Sequence, residues 1–219
     1  MPRRSCRDDT ARRRPMKTES IGSPSHSYAV DMDTDLVRRA QHGDQAAFAT
    51  IAVATYGRLQ QLAYGMLRDR HLAEDATQQA MLVAWRELPR LRDPERFEAW
   101  TYRLLVNACH AEGRKASRWM PAMGIDTPAD PVASDETSRV ADRDQLERGF
   151  RRLSLDHRAV VVLRHYLDLG MEDVAAVLGL PVGTVRSRLH RAMQELRAAL
   201  EADTRPAPRL ESATKEVVR

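Results

Sequence analysis

Leu178 to Leu200 reads LGLPVGTVRSRLHRAMQELRAAL. Gly179, Leu180 and Pro181 break the chain, and the residues after them have the period of an amphipathic helix. Val185, Leu189, Ala192 or Met193, Leu196 and Leu200 recur at steps of three and four, which makes one stripe apolar and destined for burial. Arg186, Ser187, His190, Arg191 and Gln194 fall away from that stripe. Between Val182 and Leu200, Arg186, Arg188, Arg191 and Arg197 face Glu195 alone, so the helix is locally basic. The preceding segment MEDVAAVLG (171–179) reads as a short helix whose Val174, Ala175 and Leu178 pack against it, with Ala175 and Gly183 small where the two helices approach. Short helix, tight turn and basic second helix make a helix-turn-helix, whose second helix enters the major groove by its N-terminal half. Arginine suits that task because its planar fork grips guanine edges or phosphates. Thr184 and Ser187 can reach phosphates near the helix N-terminus, where backbone N–H groups already favour anions.

Outward from this motif the chain is helical almost throughout, and the expected fold class is all-α. Upstream helices fit 142–152 and 156–167, with Gly170 and Gly179 marking breaks, so the second unit spans 142–200. Residues 118–141 change character. They are rich in proline, small residues and acids, with three basic against six acidic side chains over 118–144, and read as a flexible acidic linker. Before it, 32–117 carries four helical patterns, a four-helix-bundle-like domain. Asp33 or Thr34 caps the first and Asp44 the second. The second helix has Phe48, Ile51, Ala52, Leu59, Leu62, Ala63 and Met66 at helical spacing. The third runs from about Leu72 to Leu88, and Asp93-Pro94 opens the fourth, which reaches about Arg114. Residues 1–31 are rich in Arg, Ser, Thr and Pro and read as a disordered basic tail, and 201–219 as a frayed C-terminal tail. Met16 and Met32 are each placed to serve as an alternative start, a question for the intact mass of the protein made from its own chromosome.

Composition removes several classes of function. The net charge of +4 resides in residues 1–30, which hold seven basic and three acidic side chains and leave the rest neutral. A basic helix in a neutral body points to a directed anionic partner rather than to general stickiness. No apolar run approaches the roughly 20 residues of a membrane span, and the N-terminus lacks a signal-peptide core, so the expected location is cytoplasmic. Cys6 and Cys109 form no C-x-x-C pair, and the seven histidines are scattered, so neither metal nor cofactor is expected. No nucleophile–base set or phosphate-binding glycine loop is visible, which argues against an enzyme.

A helix-turn-helix alone does not name a function; the first domain decides. The stretches LAEDATQQAMLVAWREL (72–88) and RFEAWTYRLLVNACHAEGRK (96–115), with LSLDHRAVVVLRHYLDLGMEDVAAVLGLPVGTVRSRLHRAMQEL (153–196), resemble the extracytoplasmic-function (ECF) group of bacterial RNA polymerase sigma factors. The resemblance covers about Thr34 to Leu200 in order and implies two helical domains joined by a linker. It implies that Glu74, Asp75, Gln78 and Gln79 lie on the helix that docks on the clamp coiled coil of core RNA polymerase. It implies that Phe97, Trp100, Tyr102 and Asn107 belong to the part that opens and reads the −10 element. The loop holding Arg92 and Arg96 would carry much of the base specificity, and Arg114 and Lys115 would track phosphates. Arg186, Ser187, Arg188, His190 and Arg191 match positions that meet the −35 duplex, and Leu163 to Leu169 the side that meets the polymerase flap. The group also usually has an anti-sigma partner.

The chain departs from the family's pattern at a few positions. Ser154 stands where proline is usual, Leu105-Val106 where a small-basic pair is usual, and Ala111 where aspartate is frequent. These changes bear on −10 preference and on one turn. The competing reading is a stand-alone helix-turn-helix regulator, which would not need the 72–115 block.

Overall fold

The computed structural model describes residues 33–123 and 137–204. Every regular element among them is helical. In the first unit α1 spans Thr34–Gln41, α2 Gln45–Leu67, α3 Arg70–Glu87 and α4 Phe97–Met123, with short 3-10 turns at Leu88–Arg90 and Pro94–Arg96. In the second, α5 spans Thr137–Arg152, α6 Leu155–Val161, α7 Met171–Leu178 and α8 Val182–Thr204, and a π-helical turn at Val162–Tyr166 extends α6. The helices α4 and α5 reach into the expected linker from both sides. The expected tail at 1–31 and the stretches 124–136 and 205–219 lie outside the described residues.

Local chemistry sets the starts. Asp33, Asp44 and Asp69 cap α1, α2 and α3, their carboxylates accepting from the N–H groups of Asp35, Ala47 and Leu72. Asp93 does the same for the 3-10 turn that leads into α4, accepting from Glu95 N–H. Ser154 caps α6, its hydroxyl oxygen accepting from His157 N–H at 3.2 Å. Serine therefore supplies by a cap what proline would supply by a fixed φ.

Two apolar clusters hold the molecule. The smaller joins Val37, Ala40, Ala47, Ile51, Leu88 and Phe97, seating α1 on the other helices of the first unit. The larger is continuous across both units. It takes Leu59, Leu62 and Met66 from α2, Ala73, Ala76 and Ala80 from α3, and Leu105, Val106 and Cys109 from α4. The second unit adds Val160, Leu163, Val174, Val177 and Val185. Accordingly α2 packs on α6 and the π turn, and α4 on α7. Two beads on a string is thus not the arrangement seen; the units share a core.

Cys109 is fully buried, and burial pushes its thiol up to about 12. At pH 8 the reactive thiolate is then almost absent from the folded protein. Iodoacetamide should leave Cys109 unmodified in the native protein and label it in urea; peptide mass spectrometry reads the result. Native labelling at the unfolded rate would contradict this core.

Candidate nucleic-acid and protein interfaces

The motif at 171–204 is built as expected in outline. Gly179 takes φ +66, the left-handed conformation that glycine adopts without cost, and Leu180 N–H reaches Ala175 O at 3.0 Å to close α7. The Pro181 carbonyl then accepts from Thr184 and Val185 N–H at 2.9 and 3.1 Å and starts α8. Val185, Ala192 and Leu196 are buried, with Leu189 and Leu200 partly so. Met193 is 36% exposed, so Ala192 completes that turn of the stripe. Gly183 is exposed and does not serve a close helix approach: a Cβ there would meet nothing within 4 Å.

With the stripe buried, Arg186, Ser187, His190 and Arg191 are exposed, and Thr184 and Arg188 are half-buried. Ser187, His190 and Arg191 lie away from the stripe near the α8 N-terminus, where a major-groove reader needs them, and Arg186 and Arg188 flank it on opposite sides. Two of the arginines are already engaged. Arg186 lies 3.7 Å from Glu172, and Arg188 pairs with Asp156 at 3.2 Å. The Ser187 hydroxyl donates to Thr184 O at 3.0 Å and must rotate to reach a phosphate.

On α3, Ala73, Ala76, Thr77, Ala80 and Ala84 face the core. Small residues at this spacing bring α3 close to α2 and α4 and turn Glu74, Asp75, Gln78 and Gln79 outward, all exposed. The same face continues into Leu82, 60% exposed, and Trp85, 37% exposed with its ring against Phe48 at 4.8 Å. Sequence reading passed over Leu82 and Trp85, although Leu82 stands four residues after Gln78 and so on the same helical face. An exposed leucine and tryptophan beside acids and amides suit a protein partner better than solvent.

The remaining sequence candidates divide. Arg92, Arg96, Asn107, Arg114 and Lys115 are exposed, and Trp100 is half-buried against Phe97. Phe97 and Tyr102 are 2% and 4% exposed, so here they hold the helix and present no face to a strand. Burial pushes the Tyr102 hydroxyl up to about 12, which keeps it neutral. The loop bearing Arg92 is pinned from α1: Gln41 Nε2 donates to Leu88 O at 3.3 Å and to Leu91 O at 2.7 Å. Arg58 was also missed. From α2 it pairs with Glu98 at 2.7 Å and lies over the Tyr102 ring at 5.4 Å, fastening the first turns of α4. Forty residues separate the pair in sequence, so no local signal could have shown it. Between Leu163 and Leu169, Leu163 is buried and His165 and Tyr166 are exposed.

Comparison with known proteins agrees with this layout. Residues 52–118 match the family described as Sigma-70 region 2, and 143–196 match Sigma-70, region 4. The RNA polymerase sigma-H factor of Pseudomonas aeruginosa is 29% identical over 81% of this chain and 98% of its own. The ECF RNA polymerase sigma factor SigM of Mycobacterium tuberculosis is 34% identical over 75% of this chain and 82% of its own. The structure of CnrH in complex with the cytosolic domain of CnrY matches 78% of this chain and 99% of that one, with 30% identity and a TM-score of 0.57. The chain belongs to the sigma-70 family, in its ECF group, and directs transcription initiation by RNA polymerase. Among the described residues no helix is long and apolar enough to cross a membrane.

Replacing Arg191 by alanine should weaken transcription from a −35-dependent promoter about fivefold or more, since a lost base-edge contact costs about 1–3 kcal/mol. Polymerase binding should be unchanged. Unaltered transcript yield from such a promoter in a run-off assay would remove Arg191 from the −35 contact.

Proposed function

We propose that the first unit binds the clamp of core RNA polymerase and opens the −10 element, while the second reads the −35 duplex. The division runs close to 32–117 and 142–200. The observation that carries this is the paired exposure of two helix faces: Glu74, Asp75, Gln78, Gln79 and Leu82 on α3, and Arg186, Ser187, His190 and Arg191 on α8. The first face is acidic and amide-rich around an apolar centre, which fits a basic coiled coil. The second is cationic, which fits duplex phosphates and guanine edges. Arg92, Arg96, Asn107, Arg114 and Lys115 supply the polar and basic surface for a melted strand, whose unstacked bases need polar edges and whose phosphates need cations. Trp100 joins them through its exposed edge. Phe97 and Tyr102 position α4 from beneath.

The protein works by binding alone, in the cytoplasm, with no covalent step and no cofactor. Polymerase flap contact falls to the segment around the π turn. A protein regulator of the anti-sigma kind completes the partner set; CnrH, 30% identical, was solved with a second protein bound.

Run-off transcription with purified core polymerase, this protein and a pool of genomic promoter fragments tests the whole reading. Discrete transcripts that require both components are expected. DNA binding without polymerase and without new transcripts would mean a stand-alone regulator. In a pull-down with core polymerase, Asp75→Arg and Leu82→Arg should each reduce capture at least tenfold, as removal of a central interface contact of about 1.4 kcal/mol or more would do. Undiminished pull-down would remove α3 from the docking face.

A further inference from the structure

Glu147 on α5 serves two arginines, and a third stands near them without an acid. Arg68 Nε donates to Glu147 Oε1 at 3.1 Å, and its Nη2 faces the other carboxylate oxygen. Arg151 Nε donates to the same Oε1 at 3.4 Å. Arg68 is held at φ 58 at the end of α2, its guanidinium over the Tyr64 ring at 4.9 Å and the Phe150 ring at 5.6 Å. One carboxylate is thus divided between two guanidinium groups that the fold fixes in place.

Arg158 on α6 is the third. It is half-buried, and its Nε is buried without a hydrogen-bond partner. Burial, then the charges of Arg68 and Arg151, push its guanidinium down to about 10, and no carboxylate acts in the opposite direction. Acids on α6 and α8 are engaged elsewhere. Asp156 lies 3.5 Å from His110 and 3.2 Å from Arg188, and Glu195 lies 2.8 Å from His157. Among the described residues, the end of α2, α5 and α6 therefore bring together three arginines around one glutamate, a surplus of two positive charges (three minus one). A half-buried cation beside two others is unfavourable unless an anion joins them.

The chemistry of that anion follows from the donors. Planar guanidinium forks match the oxygens of phosphate and bind them two at a time. A singly charged ion would leave part of the surplus uncompensated, whereas linked phosphates would neutralise it. Duplex DNA is better met by the exposed arginines of α8 than by a half-buried side chain on α6.

We propose that Arg68, Arg151 and Arg158 form a binding site for a multiply charged phosphate anion, either pyrophosphate or the phosphate tail of a nucleotide, separate from the α8 face assigned to the −35 duplex. The ligand would tie the end of α2 to α5 and α6, so binding should stabilise the folded chain.

Calorimetric titration and thermal unfolding of the full chain with sodium pyrophosphate, against sodium chloride at equal ionic strength, test the site. Saturable binding and a rise in Tm beyond the chloride control are expected. Arg158→Gln should weaken pyrophosphate binding about tenfold or more, as loss of charge-assisted hydrogen bonds does. Without added anion it should unfold at or near the wild-type temperature, because it removes a half-buried cation that has no acid. Arg151→Gln, at an exposed position, should show the same loss of binding and decides the matter if Arg158→Gln does not fold. Arg197→Gln, at an exposed arginine further along α8, should bind as wild type. ATP in place of pyrophosphate separates the sources. Tighter binding of ATP identifies a nucleotide and equal or weaker binding the free anion, and either upholds the site. No saturable pyrophosphate binding would overturn the proposal. So would wild-type affinity in the folded Arg158→Gln or Arg151→Gln variant, or loss of binding in Arg191→Ala alone, which would put the anion on α8.

Discussion

Helix α4 has too many tasks for one face, and that constraint organises the molecule. Tyr102, Leu105, Val106, Ala108 and Cys109 are buried, and fully burying one leucine-sized side chain stabilises by roughly 1.5–3 kcal/mol. That burial turns Asn107, Arg114 and Lys115 outward on the same helix. It also presents His110 and Gly113 to the second unit. The surface that would read a melted strand and the surface that receives α6 and α7 are therefore two sides of one rod. A change to the core under α4 would disturb both.

The same logic governs α3 and α8. An alanine-lined inner face lets α3 lie close to its neighbours, so its outer face is presented rigidly rather than on a loop. In α8 the stripe of Val185, Ala192 and Leu196 fixes the rotation of the helix and hence the direction of the arginines. Charge alone would not aim them. Helix caps at Asp33, Asp44, Asp69 and Ser154 place the starts of four elements, each contributing about 1 kcal/mol.

Ionic contacts have a different role. Arg188–Asp156 and Arg186–Glu172 are part-exposed or exposed and add little stability. Their consequence is occupancy: the arginines proposed for DNA contact are engaged within the protein. Arg58 is the contrast. Its side chain is 9% exposed, so its pair with Glu98 is a largely buried fastening rather than a surface contact.

The helix-turn-helix, the caps at Asp44 and Asp93, the outward acids and amides of α3 and the two-part helical plan were legible in the sequence, because each depends on residues within one or two helical turns of one another. The apolar stripe of α8 could be read to within one choice, between Ala192 and Met193. What the sequence left open involves partners distant along the chain. That Phe97 and Tyr102 lie beneath the candidate reading surface and not on it depends on how α4 rotates against α2 and α3. That Arg58 reaches Glu98 and that one apolar cluster runs through both units depend on which helices meet. Periodicity tells a helix which face to bury but not what to bury it against, and only the tertiary structure decides that.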